Sequence, residues 1–455
     1  MLIPWRNSSA LILVVLWSGS ICAQSDPPET PQQDNDQRQK IDELEKKVDA
    51  LAAKLRDAEG DKPEKGGTSV SFGTGGVAIR SNDGNLQLRI GLDLQIDGRF
   101  YPDGANAPGT DGFLIRRARP TISGTVFKYV DFYVRPDFGL GQAILYDSYI
   151  DFKYFSRFVV RAGKFKPPVG LERLQSDDDT NFIERGLPTL LVPSRDIGYQ
   201  ISGDVVKRRV NYAVGVFNGV ADNSISDAGT SSHKDYAARV VLTPFQSASQ
   251  KEATNPLSGL GLGMAATGGA VDGLPLPAYK TLGQVTFFHF NSGVSSAGHR
   301  TRLAPQAYYY LGPFGLLAEF TRAEEGFQKG SFREPIAFRA WQVEAAYILT
   351  GEKKGFNSPV PKKNFDPLHH DGWGALELSL RMGDFAAERG VFNYGFADIA
   401  KTPRRAHEWL GAVSWYPNRN VRISFNAGNT NFAGGATGGN RPPEKTLLSR
   451  FQVDF

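Results

Sequence analysis

Strict alternation of apolar and polar residues begins at Leu86 and continues for twelve residues to Asp97. Because successive side chains of a β-strand point to opposite faces, this period of two predicts a strand with one apolar and one polar face. A tilted strand that crosses a membrane needs about 9–11 residues, whereas strands of soluble domains usually have about 5–6. The length of the segment therefore favours a membrane-spanning strand.

Shorter alternating stretches recur along the chain, at Val130–Arg135, Val210–Val216, Trp341–Leu349 and Leu376–Met382. In each of them we expect the apolar residues to face lipid and the polar residues to face a water-filled lumen. About 390 residues, at roughly two dozen per strand and connection, give about 16 strands, a number that leaves an aqueous channel. The sequence thus predicts an all-β fold, a transmembrane antiparallel β-barrel of about 16 strands.

The last nine residues, Leu447 to Phe455, form another alternating segment, with Phe451, Val453 and Phe455 on one face. An aromatic residue that closes an alternating strand is typical of the last strand of bacterial outer-membrane barrels. We therefore expect a multi-pass barrel in the bacterial outer membrane, surrounded by lipid, with the barrel-assembly machinery as a partner that binds through Phe455. An even number of strands then places both ends of the barrel chain in the periplasm.

Three segments before the barrel differ from it in pattern. Residues 1–23 combine Arg6, a short apolar run and small residues before Ala23, which predicts a signal peptide. Residues 24–38 are rich in Pro, Gln and Asp and predict a disordered linker. Residues 39–66 predict a short periplasmic coiled coil, and the barrel is assigned to 67–455. The seam of the coiled coil consists of Ile41, Leu44, Val48, Leu51, Leu55 and Ala58.

A helix of this length is marginal alone, so the coiled coil either joins several chains or lies as a single amphipathic helix. If it projects into the periplasm, it could also tether the barrel to the cell wall. Oligomerisation and tethering to the cell wall both remain open at the level of the sequence.

Composition narrows the classes of function. The mean hydropathy is −0.32, and the mature chain has no long charge-free apolar run, which excludes helical membrane spans. The net charge is +4; residues 24–66 carry −4 and the signal peptide carries +1, so the barrel carries +7. Six scattered His residues offer no Ser/His/Asp set, and His369-His370 is interpreted as a surface loop. We therefore expect no enzyme activity, no metal, no cofactor and no nucleic-acid partner.

The chain resembles the phosphate-selective porin O and P family over about residues 70–455. The resemblance is carried by Phe113–Arg119, Arg161–Glu172, Leu349–Glu352 and Trp415–Arg422. It implies a 16-stranded barrel, a homotrimer and passive uptake of small anions, in some members phosphate or polyphosphate. It also implies that residues 164–193 form a loop that folds into the pore and narrows it.

Basic residues at lumen-facing parity are the candidate anion-binding groups. The planar fork of arginine grips phosphate oxygens in two places, and a row of weak sites lets an anion pass without a deep trap. A less selective general porin, with lumen charges of both signs, is the alternative. The candidate substrate-binding residues are Arg116, Arg117, Arg119, Arg135, Arg161, Lys164, Lys166, Arg185 and Arg239, and Arg89 and Lys153 share the lumen parity. Arg116 has the opposite parity to Arg117, so it faces the lumen only if a bend intervenes.

The candidate constriction loop departs from the family pattern. The resemblance implies a central lysine between a Gly-Leu-Glu and a following Glu-Arg. This chain has Gly170-Leu171-Glu172 and Glu184-Arg185, but Asp177, Asp178 and Asp179 lie between them. Three carboxylates could repel phosphate, face away from the pore, bind a cation or select a different solute.

Overall fold

The computed structural model describes residues 67–73, 75–103, 108–155, 157–225, 232–246, 255–369 and 371–455, together with Glu43, Lys46 and Lys47. These three residues are helical, and Lys47 Nζ lies 3.1 Å from Glu43 Oε1. They belong to a separate N-terminal unit, residues 1–64. The signal peptide, the linker and the seam of the coiled coil lie outside the described residues.

In the part of the barrel unit that the structure describes there are 21 strands and a few short helical turns. The strands are β1 (Thr68–Gly73), β2 (Gly76–Ser81), β3 (Leu86–Phe100), β4 (Gly112–Val126), β5 (Val130–Asp137), β6 (Ile144–Phe155), β7 (Phe158–Phe165), β8 (Asp196–Val205), β9 (Val210–Phe217), β10 (Asp235–Leu242), β11 (Leu260–Asp272), β12 (Tyr279–Lys280), β13 (Thr286–Phe288), β14 (Val294–Leu311), β15 (Phe314–Lys329), β16 (Phe332–Ile348), β17 (Ala375–Ala387), β18 (Pro403–Asn418), β19 (Val421–Ala436), β20 (Gly439–Asn440) and β21 (Glu444–Asp454). The helices are α1 (Leu171–Leu174) and α2 (Gly390–Asn393), and 3-10 turns lie at Gly139–Gly141, Leu187–Leu191 and Pro256–Gly259.

Sixteen of these strands, β3–β11, β14–β19 and β21, form one closed antiparallel barrel in which neighbours along the chain pair with each other. The last strand closes the ring because β21 pairs with β3, with Phe451 opposite Ile96. Two backbone hydrogen bonds of 3.0 Å join Leu92 and Phe455, one donated by each residue. The predicted antiparallel barrel of about 16 strands is therefore confirmed.

The two rims of the barrel differ in the lengths of their connections. The rim that holds the end of β21 has tight connections at residues 127–129, 206–209, 312–313 and 419–420. Because barrels of this class have short periplasmic turns and longer extracellular loops, this rim is the periplasmic one. Residues 166–195 and 273–293 connect strands at the extracellular rim. Residues 243–259 and 349–374 are exceptions, since they form long connections at the periplasmic rim.

The outer face of the barrel carries an apolar band between two levels of aromatic residues. Trp409 and Trp415 lie six positions apart on β18, and Trp341 and Tyr347 lie six positions apart on β16. At about 3.4 Å per residue this spacing corresponds to roughly 20 Å along the strand, and the outward residues between the two levels are mostly apolar. Within the described part of the chain, no helix has the length and apolarity that a membrane crossing needs.

The polar inner faces of several strands are not wet, which corrects the expectation from the sequence. Lumen-facing polar residues of β16 and β17 are almost fully buried because connecting segments fold inside the barrel and cover them. These residues are Gln342, Glu344, Glu377, Ser379 and Arg381. The barrel therefore holds packed polypeptide along one side of its lumen.

Near the extracellular rim this packed side is an aromatic plug. Aromatic rings from connection 273–293 pack against inward-facing rings of the wall. The ring centroids of Tyr279 and Phe288 each lie within 6.0 Å of the ring centroids of Phe338 and Phe385. The buried cluster also includes Leu187, Leu190, Leu191, Phe287, Ala323, Phe327, Ile336, Ala340, Ala387, Val391, Phe396, Ala397, Ala406 and Phe432. The plug leaves the opposite wall, around β5 to β10, for an open passage.

Candidate functional site

Residues 166–195, the constriction loop, cross the lumen between β7 and β8. Pro167 and Pro168 follow β7 directly, and proline cannot continue the hydrogen-bond ladder. The loop is tied to the far wall of the barrel: Arg422 Nη1 donates to the carbonyl of Thr180 (2.6 Å), and the Leu171 N–H donates to Glu319 (2.7 Å). The loop is thus fixed to strands on both sides of the pore.

Asp177 is the central anchor of the constriction loop. Arg119 Nη1 donates to its Oδ2 at 2.5 Å, Arg185 Nη2 donates to its Oδ1 at 2.8 Å, and Arg117 Nη2 lies 3.6 Å away. Burial opposes ionisation of Asp177, but the charges of Arg117, Arg185 and Arg119 outweigh it and hold its pKa well below the usual range. The carboxylate is therefore charged and neutralised by arginines.

A β-bulge turns Arg116 toward the lumen. The register of β3 and β4 pairs Gln95 with Arg117 and Ile96 with Ile115, so Arg116 is the extra residue. Its guanidinium donates to Glu184 of the constriction loop at 2.8 Å, and Arg99 donates to the same carboxylate at 2.9 Å. Burial is again outweighed by Arg116 and Arg99, which lower the pKa of Glu184. Arg116 and Arg117 both contact the loop because the bulge shifts the alternation by one residue.

The other two aspartates of the loop, Asp178 and Asp179, contact polar groups that lie outside the loop. Gln95 Nε2 lies 3.4 Å from Asp178 Oδ1, and the N–H of Ser358 donates to Asp179 Oδ1 at 2.7 Å. Ser358 also donates from its hydroxyl to the carbonyl of Asp178. The three aspartates thus hold the loop in place. Among the residues that the structure describes, no three His, Cys, Asp or Glu side chains are grouped so that they could hold a metal ion.

Residues 349–374, the periplasmic segment, enter the lumen from the opposite rim. Lys354 is 7% exposed, and its Nζ donates to Glu377 (3.0 Å) and to Asn181 of the constriction loop (2.7 Å). The carbonyl of Phe356 accepts from Gln175 Nε2 at 2.5 Å. Two connections from opposite rims therefore meet inside the barrel.

The passage that remains beside the constriction loop is basic. A cavity of about 400 Å³ lies between the loop and strands β5 to β10. Its charged lining consists of Arg135, Asp147, Arg161, Lys166, Arg195 and Arg239. Arg195 pairs with Asp147 at 2.9 Å, and Arg161 pairs with Asp151 at 2.7 Å. Four arginines and one lysine thus face this cavity beside one carboxylate.

Three of these basic side chains have no carboxylate partner among the described residues. Arg135 Nε donates to the Thr121 hydroxyl at 3.2 Å, and Lys166 Nζ donates to the carbonyl of Gln175 at 2.6 Å. Arg239 Nε has no hydrogen-bond acceptor. Burial, together with nearby Arg195 and Arg185, lowers the pKa of Lys166 well below its usual value. These side chains can donate hydrogen bonds to a solute without first breaking an ion pair with a carboxylate.

Two further cavities continue the basic passage toward the periplasm. One, of about 360 Å³, shares Tyr133, Tyr149 and Arg161 with the first and also contains Arg89 and Lys153. Another, of about 420 Å³, shares Asn211 and Arg239 with it. Cationic side chains therefore line the lumen at successive depths, with Asp131, Asp151 and Asp204 among them.

The residues predicted from the sequence fall into two groups. Arg135, Arg161, Lys166 and Arg239 line the open cavity. Arg116, Arg117 and Arg119 are buried or half-buried against the constriction loop, and Arg185 belongs to that loop and contacts Asp177 within it. Lys164 lies in β7, so the strand extends beyond the predicted loop start, and its Nζ donates to the carbonyl of Ile225 at 2.8 Å.

Arg195 lines the cavity, although sequence reasoning did not identify it. It stacks over the Tyr146 ring at 4.0 Å, and Arg119 also lies over that ring, at 3.8 Å. The residue directly precedes β8, where no alternating pattern has begun, so its parity carried no signal. In the predicted surface loop, His369 Nδ1 lies 2.7 Å from Asp366 Oδ2, and both side chains are exposed.

Comparison with known proteins agrees with this architecture. The family model of the phosphate-selective porin O and P matches residues 88–455. The fold is similar to the outer-membrane channel DcaP of Acinetobacter baumannii (10% identity, TM-score 0.54, 83% of this chain and 99% of that chain). It is also similar to the trimer form of OmpT of Vibrio cholerae (10% identity, TM-score 0.50, 81% of this chain and 99% of that chain). A third similar structure is an anion-selective porin from Comamonas acidovorans (10% identity, TM-score 0.50, 81% of this chain and 100% of that chain). No curated protein sequence matches the chain.

The matched residues begin inside β3 and end at the residue that closes the ring, so they include all but the first two positions of the barrel wall. A closed barrel with an apolar outer band and a basic inner passage is the structure of a channel rather than that of an enzyme. The chain therefore belongs to the phosphate-selective porin O and P family and forms a channel in the bacterial outer membrane.

Proposed function

We propose that the channel conducts small anions, with phosphate or polyphosphate among them, along the basic side of its lumen. The observation that carries this proposal is that Arg135 and Arg239 line one cavity and have no carboxylate partner among the described residues. An anion that enters the cavity exchanges its water for guanidinium hydrogen bonds, and further basic groups at successive depths let it move on. The anion-selective Comamonas porin has a similar fold.

The candidate residues have two roles in this proposal. Arg135, Arg161, Lys166 and Arg239 contact the permeating anion, because they line the open cavity. Arg116, Arg117, Arg119 and Arg185 position the constriction loop, because their guanidinium groups contact Glu184 and Asp177. Lys164 positions the segment that follows β9 through the carbonyl of Ile225.

Reversal potentials in planar bilayers test the proposal. In a KCl gradient, the native channel is expected to prefer chloride, and Arg135→Glu with Arg239→Glu is expected to reduce or reverse that preference. Arg333→Glu is the matched control, because Arg333 lies at the exposed outer end of β16 and lines none of these cavities. A cation-selective native channel would contradict the proposal, and block of the chloride current by added phosphate would identify phosphate as a solute.

We further propose that the protein assembles as a homotrimer and that its assembly depends on Phe455. OmpT, which has a similar fold, has been solved in a trimer form. Phe455 completes the pairing of β21 with β3, so its removal shortens the closing ladder. Light scattering of the purified protein tests the trimer, and heat-modifiable mobility of a chain that lacks Phe455 tests assembly.

A further inference from the structure

A basic pocket lies on the outer face of the barrel, close to the extracellular rim. It has a volume of about 460 Å³ and is formed by β15 to β18 and the start of the connection after β17. Its lining consists of Arg322, Ala337, Arg339, Ala386, Ala387, Glu388, Arg389 and Arg404, and we call it the rim pocket. Four arginines and one glutamate give it a positive charge.

The strand alternation points Arg322 and Arg339 away from the lumen. Their neighbours Ala323 and Phe338 are buried in the aromatic plug, so the two arginines occupy the opposite face. Arg322 is directly opposite Arg339 in the register of β15 and β16. Like charges in directly opposed positions destabilise a sheet, and an anion bound between them removes that repulsion.

A bulge brings a third arginine into the rim pocket. The register of β18 against β19 shifts between Pro403 and Arg405, so Arg404 departs from the regular alternation. Ala386 lies opposite both Arg339 on β16 and Arg405 on β18. Its small side chain leaves the space between the arginines open.

The arginines of the rim pocket are poorly satisfied by the protein. Arg322 Nη2 donates to Glu324 at 2.6 Å, whereas Arg339, Arg389 and Arg404 make no side-chain hydrogen bond or ion pair with any described residue. Glu388 is held by the N–H of Ala337, which donates to its Oε2 at 3.0 Å. Three guanidinium forks are therefore available for a ligand.

The depth of the rim pocket matches the lipid headgroup layer. Trp341 and Trp409 mark the extracellular end of the apolar band on β16 and β18. Arg339 lies two positions beyond Trp341 on the same face, a rise of about 7 Å. The arginines thus lie just outside the hydrocarbon layer, where lipids carry their charged groups.

We propose that the rim pocket binds a phosphate group on the headgroup of a phosphorylated glycolipid in the outer leaflet. The bidentate geometry of guanidinium fits phosphate oxygens, and the volume lies within the usual range of ligand pockets, about 300–1,000 Å³. The pocket opens on the lipid-facing surface and not on the lumen, so its ligand is part of the membrane rather than the permeating solute. The chemistry required is a phosphate carried by an amphiphile that places it at this depth.

Binding of bisphosphorylated lipid A to the purified full-length protein, measured by native mass spectrometry in detergent, tests the proposal. The matched probes are the same lipid without phosphates and inorganic phosphate. Removal of the phosphates, or the change Arg322→Ala with Arg339→Ala, is expected to weaken binding at least roughly tenfold, because each change removes charge-assisted hydrogen bonds. Arg333→Ala on the same rim is the control and is expected to bind the lipid like the native protein.

Folding of the variants is checked by heat-modifiable mobility and by unchanged single-channel conductance, and Arg404→Gln replaces the double variant if that variant fails to fold. Equal binding of the dephosphorylated lipid, or native binding by the rim-pocket variants, would overturn the proposal. Inorganic phosphate that competes at the concentration of the lipid would identify a free-anion site and overturn it as well. Loss of the native oligomer with unchanged lipid binding would identify a subunit interface instead.

Discussion

Arg119 on the barrel wall donates to Asp177 of the constriction loop at 2.5 Å, and both side chains are almost fully buried. A carboxylate in this position looks, from the sequence, like a barrier to anions. The pairing neutralises it: Asp177 balances the charge of the wall arginines and fixes the constriction loop to the barrel wall. Buried ion pairs lose most when one partner is removed, because the other charge is left uncompensated.

The change Asp177→Asn should therefore destabilise the loop more than it changes selectivity. Arg117, Arg119 and Arg185 would keep their charges without the carboxylate, and we expect a loss of about 3–5 kcal/mol in the free energy of unfolding. We expect current noise to rise as the loop detaches. Urea unfolding in lipid vesicles and single-channel recording measure the two effects.

Asp272→Asn is the matched control for this change, since Asp272 is exposed at the end of β11 and lines none of the cavities described above. It should leave both the unfolding free energy and the noise unchanged. A quiet, fully stable Asp177→Asn channel would show that the loop is held by its other contacts alone.

The lowered pKa values of Asp177 and Glu184 predict a specific pH dependence. A group whose pKa is lower in the folded state contributes stability above its unfolded pKa, and the contribution declines as the pH falls toward the folded value. Loop stability should therefore be constant from neutral pH down to about pH 5 and decline below the ordinary values of 4.5 and 3.8. Unfolding midpoints measured against pH, in the native protein and in Glu184→Gln, should show a shallower acid decline for the variant.

The outer face of the barrel was predictable because lipid imposes one rule on every strand. Alternation from Leu86 to Asp97 and the closing strand at Phe455 reflect that rule directly, and the structure shows both in the wall. The bulge at Arg116 was not predictable in the same way. An extra residue in a ladder leaves no mark on composition, although it changes which face every later side chain occupies.

The lumen was less predictable, because what lies inside depends on which connections fold inward. The inward positions of Ile336 and Phe338 are apolar, while the outward position of Arg339 is charged, so the alternation is inverted at this end of β16. That inversion is the sequence signal of the aromatic plug, but its meaning requires knowledge of the register. The contacts of Lys354 with Asn181 join residues far apart in the chain, and no local pattern encodes them.

The periplasmic segment gives a further prediction through Lys354. Its Nζ neutralises Glu377, which is 0% exposed, so Lys354→Met should leave a buried carboxylate uncompensated and cost about 3–5 kcal/mol. We also expect higher conductance, because the segment loses its link to the constriction loop. Urea unfolding measures the loss of stability, and bilayer recording measures the conductance. Lys363→Met is the control, because Lys363 lies on the exposed part of the same segment, and it should change neither the stability nor the conductance. Native conductance in a destabilised Lys354→Met channel would exclude the segment as a restriction.

The aromatic plug supplies the last prediction, through Phe288. This ring is fully buried and packs against Phe290, Phe338 and Phe385, with centroid distances of 5.4, 5.5 and 6.0 Å. Phe288→Ala should cost about 3–5 kcal/mol, from lost burial and the cavity left behind. Connection 273–293 would then detach from the wall, so single-channel conductance should rise while anion preference persists, because the basic cavity lies on the other side of the lumen. Phe288→Leu, which keeps most of the apolar volume, should restore both stability and conductance. If Phe288→Ala is less stable but conducts like the native channel, the plug supports the fold without limiting the passage.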